Sequence, residues 1–156
     1  MKTVELPNSL NSIGNSAFSG CINLESIIIT YSVSSIGEYV FWGCYNISSF
    51  IVEADNQNYD SRNNCNALIE TYTGTLLFGC KNTIIPIGVR AIGSYSFYGN
   101  IDITSLNLPE GVEKLEEKAL YHCSKLSDII IPASVVSIGA NAFGYCQKHE
   151  RHILLY

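Results

Sequence analysis

The sequence predicts a β-rich solenoid, with a parallel sheet along one side, short helical turns along the opposite side and one β-hairpin insertion in the middle. Three observations predict this fold: a repeat with a constant period, a segment of the form I-G-x-x-A-F-x-G-C, and an apolar pattern L-x-x-I-x-I that follows it. A unit of this size cannot bury its own apolar face, so stacked units must share one continuous core.

The repeat is visible in the spacing of one apolar position. Ile13 and Ile36 differ by 23 in sequence number, and the same step separates Ile92, Leu115 and Ile138. These residues belong to five aligned stretches, of which the fourth is the weakest: Ser12–Cys21, Ser35–Cys44, Ala91–Asn100, Lys114–Cys123 and Ser137–Cys146.

Each part of the repeat predicts one element. The L-x-x-I-x-I segments, such as Leu24–Ile29 and Leu126–Ile131, are short and rich in β-branched residues, which favours strands stacked in a parallel sheet. In the A-F-x-G-C segment a small residue and an aromatic residue are followed by glycine, which predicts a helical turn that ends at the glycine.

The spacing changes between Ile36 and Ile92, whose separation exceeds two repeats by ten. Ile69 lies one full repeat before Ile92, so the extra residues are placed between Glu53 and Ile69. Two β-prone runs around Gly74 predict a hairpin that replaces the helical turn. The Asn- and Asp-rich stretch before them predicts a protruding loop, with four candidate contact residues: Asp55, Asn56, Asn58 and Asp60.

The combined pattern I-G-x-x-A-F-x-G-C-x-x-L-x-x-I-x-I-P resembles the BspA-like leucine-rich-repeat family over residues 3–147. The resemblance implies a curved leucine-rich-repeat solenoid from a secreted or cell-surface protein with a role in adhesion or protein binding. It implies no catalytic residues. The irregular repeat fits as well, because the family commonly carries an element like Tyr59–Ala67, Y-D-S-R-x-x-C-N-A.

The predicted organisation is a single solenoid domain at residues 1–147, irregular at about 53–86, and a C-terminal segment at 148–156. In the expected register His149 and His152 occupy inward positions of this segment, which is either a polar capping strand or a loose tail. Half-repeats at both ends indicate a fragment of a longer array, or an open edge that supports end-to-end self-association. The N-terminus has no hydrophobic segment of a signal peptide.

Composition argues against several partners. The net charge is −5 with no basic run, which makes nucleic acid and anionic membrane surfaces poor partners. No apolar run approaches the length of a membrane span. Charged residues make up only 15% of the chain, so its polar surface is largely uncharged.

Cysteines and histidines offer little for chemistry. Four cysteines share one repeat position and are interpreted as a ladder of buried thiols: Cys21, Cys44, Cys123 and Cys146. Cys65 and Cys80 remain candidates for a disulfide in an oxidising compartment. No metal site or cofactor is predicted, since His149 and His152 miss the spacing of a zinc helix. Calcium at the 56–60 loop is a weak alternative, because the glycine and glutamate of an EF-hand are missing.

Two surfaces are candidates for binding. The outward row of the sheet carries Ile28, Ile51, Asn107 and Ile130, which β-propensity alone also explains. The opposite side carries Trp42, Tyr98 and Tyr121, residue types that dominate binding hot spots, although they also suit the grooves between coils.

These features predict a non-catalytic protein- or glycan-binding module whose ligand the sequence does not identify. A purely structural segment of a longer array is the alternative, and a hydrolase is the least favoured hypothesis. No G-x-S-x-G elbow or glycine-rich phosphate loop is present in the sequence.

Overall fold

The computed structural model describes residues 2–146 and the backbone of 152–155. The chain forms a β-solenoid of six coils. Fourteen strands follow one another in these residues: β1 Thr3–Val4, β2 Ser12–Ile13, β3 Ser26–Ile29, β4 Ser35–Ile36, β5 Ser49–Val52, β6 Tyr59–Asp60, β7 Ala67–Glu70, β8 Thr75–Gly79, β9 Ala91–Ile92, β10 Ser105–Asn107, β11 Lys114–Leu115, β12 Asp128–Ile131, β13 Ser137–Ile138 and β14 His152–Leu155. A single 3-10 turn at Arg62–Asn64 is the only helical segment in the described part of the chain.

The strands form two rows along the solenoid. The L-x-x-I-x-I strands give two parallel three-stranded sheets, β1-β3-β5 and β10-β12-β14. The short S-I strands form the second row, with β2 paired to β4 and with β8, β9, β11 and β13 paired in parallel. Neighbouring coils pair residues one repeat apart, for example Ile27 with Phe50 and Leu106 with Ile129. The parallel stacking predicted from the repeat is therefore present.

The third side of each coil is a chain of turns, and the prediction of helical turns is wrong. In the first coil the amide of Ala17 donates to Gly14 O within the turn, but the amide of Phe18 donates to Val40 O of the next coil. Ser16 and Gly20 have φ of 57° and 73°. A helix needs negative φ at each residue and hydrogen bonds to the fourth residue back. The positive φ values and the hydrogen bonds to the next coil therefore exclude a helix.

The irregular coil differs from the prediction in register. Leu76 pairs in parallel with Ile92, so Leu76 and not Ile69 occupies the repeated apolar position. The interval from Ile36 to Leu76 is longer than a regular repeat, and the interval from Leu76 to Ile92 is shorter. The stretch of chain from Ile36 to Leu76 is therefore lengthened, and the stretch from Leu76 to Ile92, which contains the turn of the irregular coil, is shortened.

The strands β6, β7 and β8 pair antiparallel at the edge of the short-strand sheet. The prediction of a hairpin inserted in place of the turn is wrong in its placement, because β8 occupies the short-strand position of the stack. The turn of this coil lies between Leu76 and Ile92 and is shorter than the turn of a regular coil. Ile85-Pro86 forms no strand, so the long-strand row is interrupted between β5 and β10.

The interior divides at this coil into two apolar clusters. One contains Ile27 and Phe50 of the first coils, and the other contains Leu115 and Ile129 of the last coils. Strand β7 contributes to both, since Leu68 belongs to the first cluster and Ile69 to the second. Successive strand residues point to opposite faces, which explains how one strand closes both clusters.

The backbone of β14 pairs in parallel with β12, with Ile153 opposite Ile129 and Leu155 opposite Ile131. His152 is opposite Asp128, one position from the place expected from a strict repeat. The prediction that His152 takes an inward position is therefore wrong in register. His149 lies outside the described residues.

Candidate binding cleft on the turn side

The shortened turn of the irregular coil leaves a cleft on the turn side of the solenoid. Its walls are the turn segments 37–42 and 93–98, and its floor includes Leu77 and Phe78. The cleft has a volume of about 700 Å³, within the range of pockets that bind organic ligands. Between regular coils this space is occupied by the turn of the next repeat.

Four aromatic side chains from the two walls meet at the mouth of the cleft: Tyr39, Trp42, Tyr95 and Tyr98. We call them the aromatic cluster. Trp42 stacks on Tyr98 with ring centroids 3.9 Å apart, and Tyr39 meets Tyr95 edge to face at 5.3 Å. Aromatic pairs in these geometries are worth about 0.5–1.5 kcal/mol beyond their buried area. Ring contacts thus hold the two walls together where backbone bonds do not.

The stack continues along the turn side beyond the cleft. Tyr121 stacks on Tyr98 at 5.4 Å, and Tyr145 follows at 5.0 Å from Tyr121. The structure therefore brings together the three aromatic residues singled out from the sequence, Trp42, Tyr98 and Tyr121. His122 lies among the same rings, 4.7 Å from Tyr145.

Four glutamates line the cleft, Glu38, Glu70, Glu116 and Glu117, and no Lys, Arg or His is among the lining residues that the structure describes. We call them the cleft glutamates. They come from three different coils. Burial raises the pKa of Tyr39, and the neighbouring Tyr95, Glu38 and Glu117 raise it further, because negative charge nearby disfavours a phenolate. The cleft is thus a negatively charged site with aromatic walls.

Lys118 lies at the edge of the cleft and already makes the contacts that such a site offers a cation. Its Nζ donates to Tyr95 Oη at 3.0 Å, lies 5.2 Å from the Tyr95 ring centroid and pairs with Glu117 at 3.0 Å. The hydrogen bonds to Tyr95 and Glu117 raise the pKa of Lys118.

Two backbone amides of the cleft wall, those of Tyr39 and Phe41, lack the hydrogen bonds that amides at the same repeat positions make in other coils. The amides of Phe18 and Phe97 donate to carbonyl groups of the next coil, at 3.0 Å and 2.8 Å. The amide of Phe41, which takes the same repeat position, and that of Tyr39, two residues earlier, have no acceptor among the residues that the structure describes. This follows directly from the shortened turn, because the carbonyl groups they would meet are those of the missing segment.

The stretch 55–60 packs against the solenoid, so the predicted protruding loop is wrong for most of its length. Asn56 is 8% exposed, its Nδ2 donates to Thr30 O and Val33 O, and its Oδ1 accepts from the amides of Asn58 and Tyr59, all at 2.9 Å. Asn58 Nδ2 donates to Ser34 O. Asp55 alone among the four candidate contact residues is exposed.

The oxygens in this stretch are occupied by protein donors. Asp60 accepts from the side chain and amide of Arg62 and from Thr71. Although burial opposes it, these bonds hold the pKa of Asp60 below its usual value. The described residues contain no group of three or more His, Cys, Asp or Glu side chains that could hold a metal ion.

The outward row of the sheet is divided. Ile28 pairs with Ile51 on one sheet and Asn107 with Ile130 on the other, and the three isoleucines are 40–46% exposed. The four positions therefore do not form one continuous row, because no strand joins β5 to β10. At that point Thr83 replaces the inward apolar residue and donates its hydroxyl to Asn66 O.

The thiol ladder has a structural role that the sequence did not indicate. Cys44, Cys123 and Cys146 each donate Sγ–H to a carbonyl of the preceding coil, 26 residues back, at 3.0–3.2 Å. Burial raises the pKa of Cys44 to about 11 and that of Cys123 to about 12. Cys65 and Cys80 are also thiols that bond to carbonyl groups, to Ala67 O and Asn66 O.

Sequence reasoning found the rings of the cleft but missed its glutamates. Glu38 and Glu117 occupy the same repeat position, two residues after the repeated apolar residue. The turns that carry them lie on either side of the Tyr95 turn. An acidic residue at the same repeat position in both turns could therefore have indicated the negative charge of the cleft from the sequence. Glu70 could not be found this way, since it lies in the irregular coil.

No helix within the described residues has the length and apolar character needed to cross a membrane. No match to a curated protein reaches significance. Several solved structures are similar to this chain. A leucine-rich repeat protein from Eubacterium ventriosum is 26% identical, with a TM-score of 0.74 over 88% of this chain and 38% of that one. One from Bacteroides ovatus is 28% identical, with a TM-score of 0.60 over 93% and 35%.

A leucine rich cell surface protein from Faecalibacterium prausnitzii is 23% identical, with a TM-score of 0.56 over 99% of this chain and 54% of that one, which supports the fold alone. The chain thus spans 35–54% of the length of these three structures. The family model for the BspA type leucine rich repeat region matches six copies, at residues 1–77 and 69–155. The chain therefore belongs to the BspA-type leucine-rich repeat family.

Proposed function

We propose that the chain is a non-catalytic binding module of a secreted or cell-surface protein, and that it binds a protein or glycan ligand on its turn side. The observation that carries the proposal is the cleft of about 700 Å³ whose mouth is formed by the aromatic cluster. A regular solenoid would fill this space with its own backbone. The irregular coil instead leaves it open beside partly exposed rings, which are the side chains most often found at binding hot spots.

The turn side is favoured over the sheet face for a geometric reason. The sheet face is divided at the irregular coil, and its isoleucines lie on two separate sheets. On the turn side the rings continue in contact from Tyr39 to Tyr145. The proposed surface location rests on membership of the BspA-type family, because the resemblance to that family implies a secreted or cell-surface protein.

Binding of the purified chain to immobilised extracellular-matrix proteins and to a glycan array tests the proposal. Substituting Trp42→Ala should weaken any observed binding by about tenfold or more, as expected for a ring at a hot spot. Tyr31→Ala removes a half-exposed ring away from the cleft and should leave binding unchanged. Equal losses in both variants, or ligands unaffected by Trp42→Ala, would contradict the proposal.

A structural segment of a longer repeat array is the second candidate. It is supported by the 35–54% of the solved relatives' length that this chain spans, because binding surfaces can lie in the remainder. If a longer chain containing these coils binds its ligand equally well after Trp42→Ala, the structural role is favoured.

A further inference from the structure

We propose that the turn-side cleft binds a protein segment and takes an arginine side chain of that segment between the aromatic cluster and the cleft glutamates. This proposal rests on the proposed function and specifies its ligand. Three independent features of the cleft support it: its charge, the behaviour of Lys118 and the unpaired amides of its wall.

The negative charge of the cleft favours a cationic ligand. Four carboxylates line it without a lining cation, and Lys118 at the edge pairs with only one of them. A cation bound in the cleft is attracted by these carboxylates, whereas a neutral ligand is not. The chain as a whole is also negative, at −5, which attracts cationic ligands over longer distances.

Lys118 indicates how a bound cation would be held. Its ammonium group donates to the Tyr95 hydroxyl and contacts a cleft glutamate at the same time. Arginine suits such a site better than lysine, because the flat guanidinium group stacks on aromatic rings and forms paired hydrogen bonds with carboxylates. Glu38 is free for such a bond, since its carboxylate has no hydrogen bond or ion pair in the described structure.

The wall of the cleft also offers a partner for a main chain. The amides of Tyr39 and Phe41 have no acceptor among the described residues, and Phe41 is 4% exposed. A buried amide without a partner is unfavourable, and a carbonyl group of a bound segment would supply the missing hydrogen bond. A segment seated here would use the donors that a regular coil gives to its neighbour, in the manner of peptides that extend a sheet. The cleft thus offers sites for a cation and for a main-chain carbonyl group, a combination that a peptide carries and a neutral oligosaccharide does not.

Trp42 is the single tryptophan of the chain, so its fluorescence reports directly on ligand binding in the cleft. We would titrate the protein with a blocked Gly-Gly-Arg-Gly-Gly peptide and follow the Trp42 emission, with calorimetry as a second readout. The same peptide with citrulline in place of arginine is the neutral isostere. Choline tests a small organic cation, and chitotriose and maltotriose test neutral sugars.

The expected result is a saturable change in Trp42 emission with the arginine peptide, with binding weakened about tenfold or more for citrulline, and weakened further by added salt. Glu38→Gln should weaken binding of the arginine peptide about threefold to tenfold. Glu110→Gln changes the net charge equally at an exposed position outside the cleft lining and should have no comparable effect. Circular dichroism of both variants establishes that they are folded.

Other outcomes would overturn the proposal in distinguishable ways. Equal binding of the citrulline peptide, equal effects of the two glutamate variants, or binding of choline as tight as that of the arginine peptide would contradict the arginine-bearing segment. A saturable response to a sugar alone would do the same while supporting the proposed binding module. If no probe or partner changes Trp42 emission, both the arginine proposal and the turn-side binding module are contradicted.

Discussion

The stacked turns of the last three coils and the junction between the turns at 37–42 and 93–98 solve the same stacking problem in different ways. In the former, alternate turn amides such as those of Phe97 and Leu120 donate to the next coil at 2.8 Å. At the junction the backbones of the two turns share no hydrogen bond in the described structure, and rings such as Trp42 and Tyr98 make the contact instead. Backbone pairing leaves no space between coils, whereas side-chain pairing leaves a cleft. The cleft therefore arises in this solenoid where the repeat fails.

The junction also carries polar contacts that a regular coil does not need. Asn56 joins the irregular coil to two carbonyl groups of the second coil, and Asp60 with Arg62 fixes the turn that follows β6. If these contacts replace the missing backbone bonds, their loss should cost more than the loss of comparable groups in regular coils.

The largest effect is expected from Asn56→Ala. This substitution removes four hydrogen bonds of a buried side chain, two to carbonyl groups and two from amides, and it should lower the free energy of unfolding by about 2–4 kcal/mol. Urea denaturation followed by circular dichroism measures it. Asp55→Ala, at the exposed neighbouring position, should stay within about 0.5 kcal/mol of the unsubstituted chain. A similar small effect for Asn56→Ala would show that the loop does not stabilise the junction.

Gly79→Ala should cause the next largest loss in the free energy of unfolding. A Cβ at this position would lie 2.2 Å from the ring of Phe97, which is 1% exposed and cannot move aside, so we expect a loss of about 1–3 kcal/mol. Gly14→Ala meets no atom within 4 Å and is the control in a regular coil. Equal midpoints of urea denaturation for the two variants would contradict the close packing of the shortened turn.

Asp60→Asn should have a smaller effect, about 1 kcal/mol, because the Asp60–Arg62 pair is partly exposed to solvent. The folded pKa of Asp60 lies below the ordinary aspartate value of 3.8, so its contribution is complete above that value and is lost as the pH falls through the lowered pKa. The difference in unfolding free energy between the two proteins should therefore be constant near neutral pH and shrink in acid. A difference that grows in acid would contradict the assignment.

The smallest effect concerns the thiol ladder. Because burial raises the pKa of Cys123 to about 12, iodoacetamide at neutral pH should modify this residue only at the rate of unfolding. Peptide mass spectrometry after timed labelling, with and without urea, measures this rate. Rapid labelling of Cys123 in the folded chain would show that the ladder opens locally.

Periodicity predicted the solenoid because one apolar position per coil recurs at a constant interval, from Ile13 through Leu115 to Ile138. It failed in the irregular coil for a physical reason. Ile69 and Leu76 are both fully buried branched residues in strands, and only pairing with Ile92 distinguishes them.

Two further features lay beyond the reach of the sequence. The turn conformation was missed because residues such as Tyr39 and His122 adopt positive φ, which their side chains do not favour. The cleft itself depends on which coil is shortened, and no local pattern encodes that. Its rings could be listed from their repeat positions, but the space beside them could not.

Amide exchange at three equivalent phenylalanines tests the central claim most directly. Phe18, Phe41 and Phe97 share one repeat position, but only Phe18 and Phe97 donate to a neighbouring coil within the described structure. If the shortened turn leaves the cleft wall unpaired, nuclear magnetic resonance should show the Phe41 amide exchanging about an order of magnitude faster than that of Phe97, as expected for a missing bond of roughly 1 kcal/mol or more. Equal protection of Phe41 and Phe97 would mean that the junction is paired like every other coil, and would contradict the cleft.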